Sequence, residues 1–420
     1  MEKLVVEHSP SLQGEVTISG AKNSVLKLLA ASLLCEGSCV IKDVPDLKDV
    51  DIMIEVLETL GSNVIYDKED KTIYTKVIDK TKCVVPYELT AKMRASIVVL
   101  GPLLARSKKA DVSLPGGCVI GSRPIDLHIK GLKAIGCDVQ VIAGSVKGTA
   151  ENMQGNRIYL DFPSVGATEN ILMAAVFANG ETIIENAAQE PEITDLASFL
   201  TKMGAKIYGA GTSTIRVKGV DKLKGIEHRV IPDRIEAGTY MVAAAITKGK
   251  ILIKNVLTNH LRPMISKLVE TGVHIEEYED SILVDATKGY SGVNITTLPY
   301  PGFPTDMQSQ FMSMLTVCKG TMTIKETVFE NRFMHVNELV RMGANIKIDG
   351  GSTAIIQGVS HLEGASVKAT DLRAGAALIL AGFVAKGTTE IYDIYHIDRG
   401  YVEIEKKMQA LGANIRRVVY

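Results

Sequence analysis

The stretch Met342-Gly343-Ala344-Asn345-Ile346 decides the fold, because variants of it recur along the whole chain. In each variant a Gly follows an apolar residue, or in one case Thr, and another apolar residue stands three places after the Gly. The six copies are Leu60-Gly61-Ser62-Asn63-Val64, Ile135-Gly136-Cys137-Asp138-Val139, Met203-Gly204-Ala205-Lys206-Ile207, Thr271-Gly272-Val273-His274-Ile275, Met342-Gly343-Ala344-Asn345-Ile346 and Leu411-Gly412-Ala413-Asn414-Ile415. Neighbouring copies place their glycines 68 to 75 residues apart, which predicts six structural repeats in one chain.

Six Ala-rich segments share this period and are apolar almost all round, which predicts buried helices. They span residues 22–35, 94–105, 169–178, 235–247, 306–318 and 373–385. Strands and a second, amphipathic helix complete each repeat as βαβαββ, and no single repeat can bury both faces of its own sheet. We therefore predict an α/β fold, a two-lobed inside-out α/β barrel in which the strands of three repeats enclose buried helices in each lobe.

The two ends of the chain predict how the lobes are divided. Residues 1–21 precede the first repeat, and the last repeat stops at 415–420 without the closing strand of its hairpin. A strand from the N-terminus would complete that last repeat. We therefore predict a discontinuous C-terminal lobe of residues 1–21 plus 231–420 and an N-terminal lobe of residues 22–230.

Composition and charge favour a cytoplasmic enzyme over several other classes of protein. A net charge of −1 over 420 residues argues against a general nucleic-acid binder. The first residues lack the features of a secretory signal, and no apolar run is long enough to span a membrane. The 6 cysteines form no CxxC and no Cys/His cluster with zinc spacing, so we expect reduced thiols and no metal.

Charged residues recur where the buried helices are predicted to begin. Lys22, Arg94, Arg234 and Arg373 stand there, with Asp306 as the acidic member of the set. A cation at a helix N-terminus opposes the helix dipole, so its presence needs a cause. Either each cation pairs with a neighbouring acidic residue, or the cations and the helix N–H groups hold an anion together. We favour the anion, because parallel helices in one lobe present these ends to one surface.

Two arginines occupy equivalent places in different lobes. Arg123 and Arg399 each precede the marker glycine of their repeat by 13 residues, and Arg332 precedes its own by 11. Such a pair predicts a clamp on a phosphate or carboxylate across a cleft.

The second repeat departs from the pattern between residues 114 and 124. Three glycines and two prolines predict a mobile loop there, with Cys118 exposed close to Arg123. Cys118 is either an incidental loop cysteine or a reactive one. Asp306 is either a helix cap or a general base toward a hydroxyl. His128 either reaches a ligand phosphate or has a structural role.

Seven phrases of the sequence closely resemble the family of UDP-N-acetylglucosamine 1-carboxyvinyltransferases. They are Ser19-Gly20-Ala21-Lys22-Asn23, Leu114-Pro115-Gly116-Gly117-Cys118, Gly121-Ser122-Arg123-Pro124-Ile125-Asp126-Leu127-His128, Phe303-Pro304-Thr305-Asp306-Met307-Gln308, Phe329-Glu330-Asn331-Arg332-Phe333-Met334-His335, Asp371-Leu372-Arg373 and His396-Ile397-Asp398-Arg399-Gly400-Tyr401. The resemblance covers essentially the whole chain. It implies the two-lobed enolpyruvyl transferase fold and the first committed step of peptidoglycan synthesis, with no metal or organic cofactor.

The resemblance also implies substrates and roles. The enolpyruvyl group of phosphoenolpyruvate would pass to the 3′-hydroxyl of UDP-N-acetylglucosamine with release of phosphate. The roles it implies are phosphoenolpyruvate binding for Lys22, Arg123 and Arg399, sugar contacts for Asn23 and Asp306, base for Asp306, and general acid for Cys118. Further cleft cations would be Arg94, Arg332 and Arg373, and nucleotide contacts would come from Arg123, Pro124, Ile125, Asp126, Leu127, His128, Ser164, Val165, Gly166 and Val328.

One departure and two rivals accompany this interpretation. Better-known members carry Lys-Val where this chain has Phe162-Pro163, which puts a side-chain contact to the diphosphate there in doubt. The nearest rival is the shikimate-pathway enolpyruvyl transferase, against which the Gly-Gly-Cys loop and the run from Arg123 to His128 argue. The other is a catalytically silent paralogue that only binds nucleotide sugar or a regulatory protein.

Overall fold

The computed structural model describes residues 2–114 and 125–420. These divide into two compact units. The N-terminal unit comprises residues 20–114 and 125–231, and the C-terminal unit comprises residues 2–19 and 232–420. The predicted lobes, 1–21 with 231–420 and 22–230, stay a prediction beside this division.

The described residues form helices and strands in the alternating order that the repeats predict. The α-helices are α1 (Lys22–Ala31), α2 (Lys48–Thr59), α3 (Tyr87–Lys92), α4 (Leu100–Ser107), α5 (Asp126–Ala134), α6 (Val165–Ala175), α7 (Pro191–Met203), α8 (Arg234–Ile246), α9 (Arg262–Glu270), α10 (Gln308–Leu315), α11 (Val336–Arg341), α12 (Leu372–Val384) and α13 (Ile404–Ala410). Short 3₁₀ helices span Ser32–Leu34, Arg94–Val99, Thr258–Leu261, Thr305–Met307 and Ile394–Arg399.

The strands are short, and most have two to six residues. They are β1 (Glu2–Glu7), β2 (Gln13–Thr17), β3 (Cys35–Glu36), β4 (Ser38–Lys42), β5 (Ser62–Asp67), β6 (Thr72–Val77), β7 (Val84–Val85), β8 (Lys109–Ser113), β9 (Asp138–Ile142), β10 (Ser145–Thr149), β11 (Arg157–Tyr159), β12 (Glu181–Glu185), β13 (Lys206–Tyr208), β14 (Thr214–Lys218), β15 (Leu223–Lys224), β16 (Glu227–Arg229), β17 (Lys250–Lys254), β18 (His274–Glu277), β19 (Ser281–Asp285), β20 (Ile295–Thr296), β21 (Thr321–Lys325), β22 (Asn345–Asp349), β23 (Thr353–Gln357), β24 (Leu362–Glu363), β25 (Ser366–Lys368), β26 (Ala385–Lys386), β27 (Thr388–Tyr392) and β28 (Ile415–Val419).

Each repeat contributes one four-stranded sheet, and the sheets share one topology. In the N-terminal unit their strand orders are β16-β4-β6-β5, β7-β8-β10-β9 and β11-β12-β14-β13. The first two strands of each order are parallel, and the other pairs are antiparallel. Strand β16 comes from the end of the unit and pairs with β4 of its first repeat, so the three repeats close on themselves. The predicted βαβαββ unit is confirmed.

The first helix of each repeat is buried, as its apolar sequence predicted. All residues of α8 after Arg234 are buried, as are all residues of α10. The strands alternate buried and exposed residues, so one face of each sheet packs on the helices and the other is solvated. Small residues allow the helices to approach closely. A Cβ added to Gly101 in α4 would lie 2.2 Å from the backbone oxygen of Asn170 in α6.

The N-terminal strand completes the last sheet of the C-terminal unit. Strand β1 lies between β27 and β28 and pairs antiparallel with both. It takes the place of the hairpin strand that the last repeat lacks, which is where the repeat pattern puts it.

Three of the predicted helix starts differ from the structure. The segments that begin at Arg94 and Asp306 start as 3₁₀ turns before α4 and α10. The segment predicted to begin at residue 169 starts four residues earlier, because the Ser164 side chain caps α6 by accepting from the backbone N–H of Ala167 at 3.3 Å. Val165 and Gly166, which precede the predicted helix, therefore lie in the first turn of α6. None of the helices within residues 2–114 and 125–420 is long and apolar enough to cross a membrane.

Candidate functional site

In the N-terminal unit, Lys22 begins α1 and is bonded to a buried carboxylate. Its Nζ lies 2.6 Å from Oδ2 of Asp49, which belongs to the first turn of α2. The side chain of Asp49 is only 2% exposed, while that of Lys22 is 11% exposed. Lys22 is therefore ion-paired, and its ammonium is the less buried of the two partners.

A second buried pair lies one turn further along α1. Lys27 Nζ donates to the backbone oxygen of Asn23 at 2.9 Å and lies 3.4 Å from Oε1 of Glu169 in α6. Burial raises the pKa of the Glu169 carboxyl to about 7, and the charge of Lys27 opposes the rise. The pair connects the first turn of α1, which carries Lys22 and Asn23, to α6.

The first turn of α1 is also fixed from the side of α7. The Ser24 hydroxyl donates to Oδ2 of Asp195, and Oδ1 of the same carboxylate lies 2.8 Å from Nε2 of His228. Lys202 Nζ lies 3.1 Å from Nδ1 of His228. Because an ammonium can only donate, Nδ1 of His228 accepts a hydrogen bond from Lys202. Nε2 therefore carries the ring proton and donates a hydrogen bond to Asp195. The start of α1, which carries Lys22 and Asn23, is therefore held by buried polar contacts to α2, α6 and α7.

His128 in α5 is placed against the start of α6. The Asn170 side chain accepts from the Gly101 N–H at 2.7 Å and donates to the Ile97 oxygen at 3.2 Å, which fixes the orientation of its amide. Its nitrogen then faces Nδ1 of His128 at 2.9 Å as a donor, so the ring carries its proton on Nε2. Burial lowers the pKa of His128 to about 4, and the ring is neutral.

This contact brings together two of the predicted nucleotide-binding segments. A Cβ added to Gly166 would lie 3.2 Å from Nε2 of His128, so the ring packs directly on the first turn of α6. Ile125 precedes α5, Asp126 and Leu127 lie in its first turn, and Val165 and Gly166 lie in the first turn of α6. The segments 125–128 and 164–166 are thus neighbours in space.

In the C-terminal unit, one carboxylate is shared by two arginines. Arg332 Nη2 donates to Oδ1 of Asp306 at 2.8 Å, and Arg373 Nη2 donates to Oδ2 at 3.0 Å. Each arginine side chain is 4% exposed, whereas that of Asp306 is 27% exposed. The acceptor is therefore the partner nearer the surface, and the cations lie beneath it.

Buried groups surround these arginines. Burial opposes the charge of Arg373, but the carboxylates of Asp306 and Asp233 and the hydroxyl of Tyr401 outweigh it and raise the pKa of the guanidinium above its ordinary value. Burial lowers the pKa of His335 to about 4, with the carboxylate of Asp371 opposing the fall and the charge of Arg332 adding to it.

A further carboxylate, which the sequence did not single out, organises the backbone beside Asp306. Oε2 of Glu326 accepts from the Thr305 hydroxyl at 2.9 Å, and its Oε1 accepts from the backbone N–H of Val328 at 2.8 Å. Glu326 is buried, so it links the turn that carries Asp306 to Val328. Sequence reasoning also missed Asp49 and Tyr401, although Tyr401 ends one of the quoted phrases.

The remaining predicted residues have varied positions. Arg94 is the first residue of a 3₁₀ helix in the N-terminal unit, and Arg399 is the last residue of one in the C-terminal unit. Both are half-buried. Cys118, Arg123 and Pro124 lie outside the described residues, and so does the predicted loop between Leu114 and Ile125. Among the residues that the structure describes, no three His, Cys, Asp or Glu side chains are grouped as a metal site would require.

The two groups of residues suit two different tasks. The N-terminal unit offers a cation at the start of a helix, where an anion is stabilised by the helix N–H groups. The C-terminal unit offers a carboxylate that is less buried than its two guanidinium partners, so that its oxygens can also accept a hydrogen bond from a hydroxyl.

Comparison of the sequence with known proteins gives full-length matches. The profile of the family described as EPSP synthase (3-phosphoshikimate 1-carboxyvinyltransferase) matches residues 6–408. UDP-N-acetylglucosamine 1-carboxyvinyltransferase 1 of Caldanaerobacter subterraneus subsp. tengcongensis is 60% identical over 415 residues, which is 99% of either chain. UDP-N-acetylglucosamine 1-carboxyvinyltransferase of Finegoldia magna is 57% identical over 422 residues, covering 100% of this chain and 99% of that one.

Solved structures show the same fold. The enolpyruvyl transferase NikO from Streptomyces tendae superposes with a TM-score of 0.90 at 25% identity, over 100% of this chain and 99% of that chain. An EPSP synthase from Acinetobacter baumannii superposes with a TM-score of 0.76 at 16% identity, over 100% of both chains. The predicted fold class is confirmed.

Proposed function

The chain belongs to the enolpyruvyl transferase family and, within it, to the UDP-N-acetylglucosamine 1-carboxyvinyltransferases, and we propose that it catalyses the reaction that names them. It transfers the enolpyruvyl group of phosphoenolpyruvate to the 3′-hydroxyl of UDP-N-acetylglucosamine and releases phosphate, the first committed step of peptidoglycan synthesis. The observation that carries this proposal is 60% identity over 99% of both chains to a relative with that name.

The reaction is an addition followed by an elimination. A proton from the Cys118 thiol adds to C3 of phosphoenolpyruvate, the sugar oxygen bonds to C2, and Asp306 takes the proton of the sugar hydroxyl. C3 then returns a proton to the Cys118 thiolate as the bond between C2 and the phosphate oxygen breaks, and Asp306 gives up its proton to the departing phosphate. This step restores the double bond and releases phosphate.

The geometry of the described residues supports the roles of Asp306 and Lys22. The carboxylate of Asp306 is the exposed member of its cluster and is kept as an acceptor by two buried guanidiniums. Lys22 presents a cation at the start of α1, which suits the phosphate of phosphoenolpyruvate together with Arg123 and Arg399. Asn23, next to Lys22, would contact the sugar.

The other binding roles follow the same division. Arg94, Arg332 and Arg373 supply further positive charge for a substrate pair that carries several negative charges. The neighbouring segments 125–128 and 164–166 would hold the nucleotide together with Arg123, Pro124 and Val328. The protein would act in the cytoplasm on small molecules, without nucleic acid, membrane, metal or organic cofactor, and its two units would correspond to the lobes 1–21 with 231–420 and 22–230.

Phosphate release with two alternative acceptors tests the proposal. The protein is incubated with phosphoenolpyruvate and either UDP-N-acetylglucosamine or shikimate 3-phosphate. We expect release only with the nucleotide sugar, because the relatives that match at full length carry its name. Release only with shikimate 3-phosphate would identify the rival enzyme, and release with neither acceptor would favour a paralogue that only binds.

A further inference from the structure

The hydroxyl of Tyr401 lies behind the ion pair between Asp306 and Arg373. Tyr401 is 2% exposed, and its oxygen accepts from Nη1 of Arg373 at 3.4 Å. The other terminal nitrogen of the same guanidinium, Nη2, donates to Asp306 at 3.0 Å. The planar guanidinium therefore spans the distance between hydroxyl and carboxylate, and a shift at one end moves the other.

The hydrogen bonds around Tyr401 fix the direction in which its hydroxyl points. The Thr239 hydroxyl donates to the backbone oxygen of Ile235 at 2.9 Å, one turn earlier in α8. Since that proton is committed, the Thr239 oxygen accepts from the Tyr401 hydroxyl, which lies 2.8 Å away. The Tyr401 oxygen then faces Arg373 with its lone pairs.

Gln310 supports the same orientation. Its Oε1 accepts from the Ser309 hydroxyl at 3.0 Å, so its Nε2 is the end that faces Thr239 at 3.3 Å and Tyr401 at 3.4 Å. Thr239 and Gln310 are both fully buried. In such surroundings water cannot replace a lost partner, so each member of the network depends on the others.

We propose that Tyr401 is a positioning residue for Asp306, which it holds in place through Arg373, while Thr239 and Gln310 fix the direction of its hydroxyl. The proposal rests on the proposed function, in which Asp306 takes a proton from the acceptor hydroxyl. When the buried network fixes Arg373, the Asp306 carboxylate stays aligned with the hydroxyl in the transition state. When Arg373 is free to shift, the carboxylate loses this alignment and the reaction slows.

The test replaces Tyr401 by Phe, which removes one oxygen and keeps the ring. We expect kcat to fall about tenfold, the scale of a hydrogen bond to a charged group. KM for phosphoenolpyruvate and for the acceptor should change by less than about twofold, because an interaction made only in the transition state affects kcat alone.

Tyr240→Phe is the matched control. Tyr240 neighbours Thr239 in α8 and is fully buried, and its hydroxyl has no hydrogen-bond partner among the residues that the structure describes. The same change of one oxygen should leave kcat at the wild-type value. Thermal unfolding of both variants checks that they remain folded.

Variants of Thr239 separate positioning from packing. Thr239→Val keeps the shape but removes the acceptor for the Tyr401 proton, and it should slow kcat as Tyr401→Phe does. Thr239→Ser keeps the hydroxyl and should restore most of the rate. Because both residues act through one network, the double variant Tyr401→Phe with Thr239→Val should be about as slow as either single variant.

The assay is run with whichever acceptor the wild-type protein uses, so the two proposals can fail separately. The acceptor identity is decided by the wild type alone, and the role of Tyr401 is decided by ratios to the wild type. A kcat for Tyr401→Phe equal to that of Tyr240→Phe would overturn the inference. So would equal rates for Thr239→Val and Thr239→Ser, or additive losses in the double variant.

Discussion

In both units a cation near the start of a buried helix forms an ion pair with a carboxylate. The two pairs differ in which partner is more exposed to solvent. In the N-terminal unit the carboxylate of Asp49 is 2% exposed and the ammonium side chain of Lys22 is 11% exposed. In the C-terminal unit the arginine partners are 4% exposed and Asp306 is 27% exposed. Repeats of the same type therefore present a cation in the N-terminal unit and a hydrogen-bond acceptor in the C-terminal unit.

This difference separates the ligands that the two units suit. An ammonium at the start of α1 that is less buried than its carboxylate partner is complementary to an anion. An exposed carboxylate above two guanidiniums is complementary to a hydroxyl that must give up its proton. Substitutions at the carboxylates should accordingly affect rate in the C-terminal unit and stability in the N-terminal unit.

The largest expected effect is that of Asp306→Asn on turnover. The amide keeps the size of the side chain but cannot take a proton, so we expect kcat for phosphate release to fall at least about a hundredfold, as is usual when a general base is lost. Asp349→Asn, at an exposed position in the same unit, is the control and should retain full activity. Turnover of Asp306→Asn within about tenfold of wild type would exclude the carboxylate as the base.

The next effect is the loss of stability in Asp49→Asn. This change removes a charge that is almost fully buried against Lys22, and we expect the free energy of unfolding to fall by about 3 kcal/mol. Asp51 lies in the same helix, and its side chain is 32% exposed and paired with Lys68 at 3.6 Å. Asp51→Asn is therefore the matched control, with an expected loss below about 1 kcal/mol.

Urea unfolding monitored by circular dichroism measures both variants. Midpoints should shift while the slope with denaturant stays constant. If both variants lose the same free energy of unfolding, burial of the pair between Lys22 and Asp49 does not contribute to stability. The proposed difference between the two units would then be wrong.

The smallest effect concerns pH in the N-terminal unit. Burial raises the pKa of Glu169 from 4.5 to about 7, so the folded protein binds more protons than the unfolded chain within that window. The group therefore removes stability as pH rises from about 4.5 to 7. In wild type this group makes the free energy of unfolding decrease as pH rises through this range. In Glu169→Gln we expect that decrease to be absent, because the amide does not titrate.

Unfolding in urea at several pH values between these limits measures the slope. Glu151→Gln, at an exposed position in the same unit, should keep the slope of wild type. In the C-terminal unit, buried His335 acts in the opposite direction. Its pKa is lowered from 6.5 to about 4, so its contribution to stability is lost as pH falls through that range. An unchanged slope in Glu169→Gln would contradict the assignment of a raised pKa.

The repeat made most of the architecture predictable. The recurrence of the marker glycines every 68 to 75 residues predicts the topology, the buried helices and the place of the first strand, because each repeat must use its neighbours to cover its sheet. The residues at which helices begin were less predictable. Helix α6 includes Gly166 in its first turn, because the Ser164 cap stabilises a start that glycine alone would disfavour.

The sequence predicts a set of site residues, and the structure adds contacts that the sequence did not predict. Counting along repeats found Lys22, Asp306 and Arg373, because local position suffices to identify an unusual charge. It did not find Asp49 as the partner of Lys22 or Tyr401 as the partner of Arg373. Those pairs join residues 27 and 28 positions apart in sequence, and only the tertiary fold brings them together.

Strand β1 has a consequence for how the protein is made. Translation proceeds from the N-terminus, so Glu2–Glu7 is made before its neighbours in the sheet, Thr388–Tyr392 and Ile415–Val419. Leu4 and Val6, which end up fully buried, therefore have no sheet to join until those strands have been made. The sheets of the N-terminal unit use strands β3 to β16. All of these are made before β27 and β28, which the last sheet of the C-terminal unit needs. The sheets of the N-terminal unit can therefore form before the C-terminal unit is able to close its own.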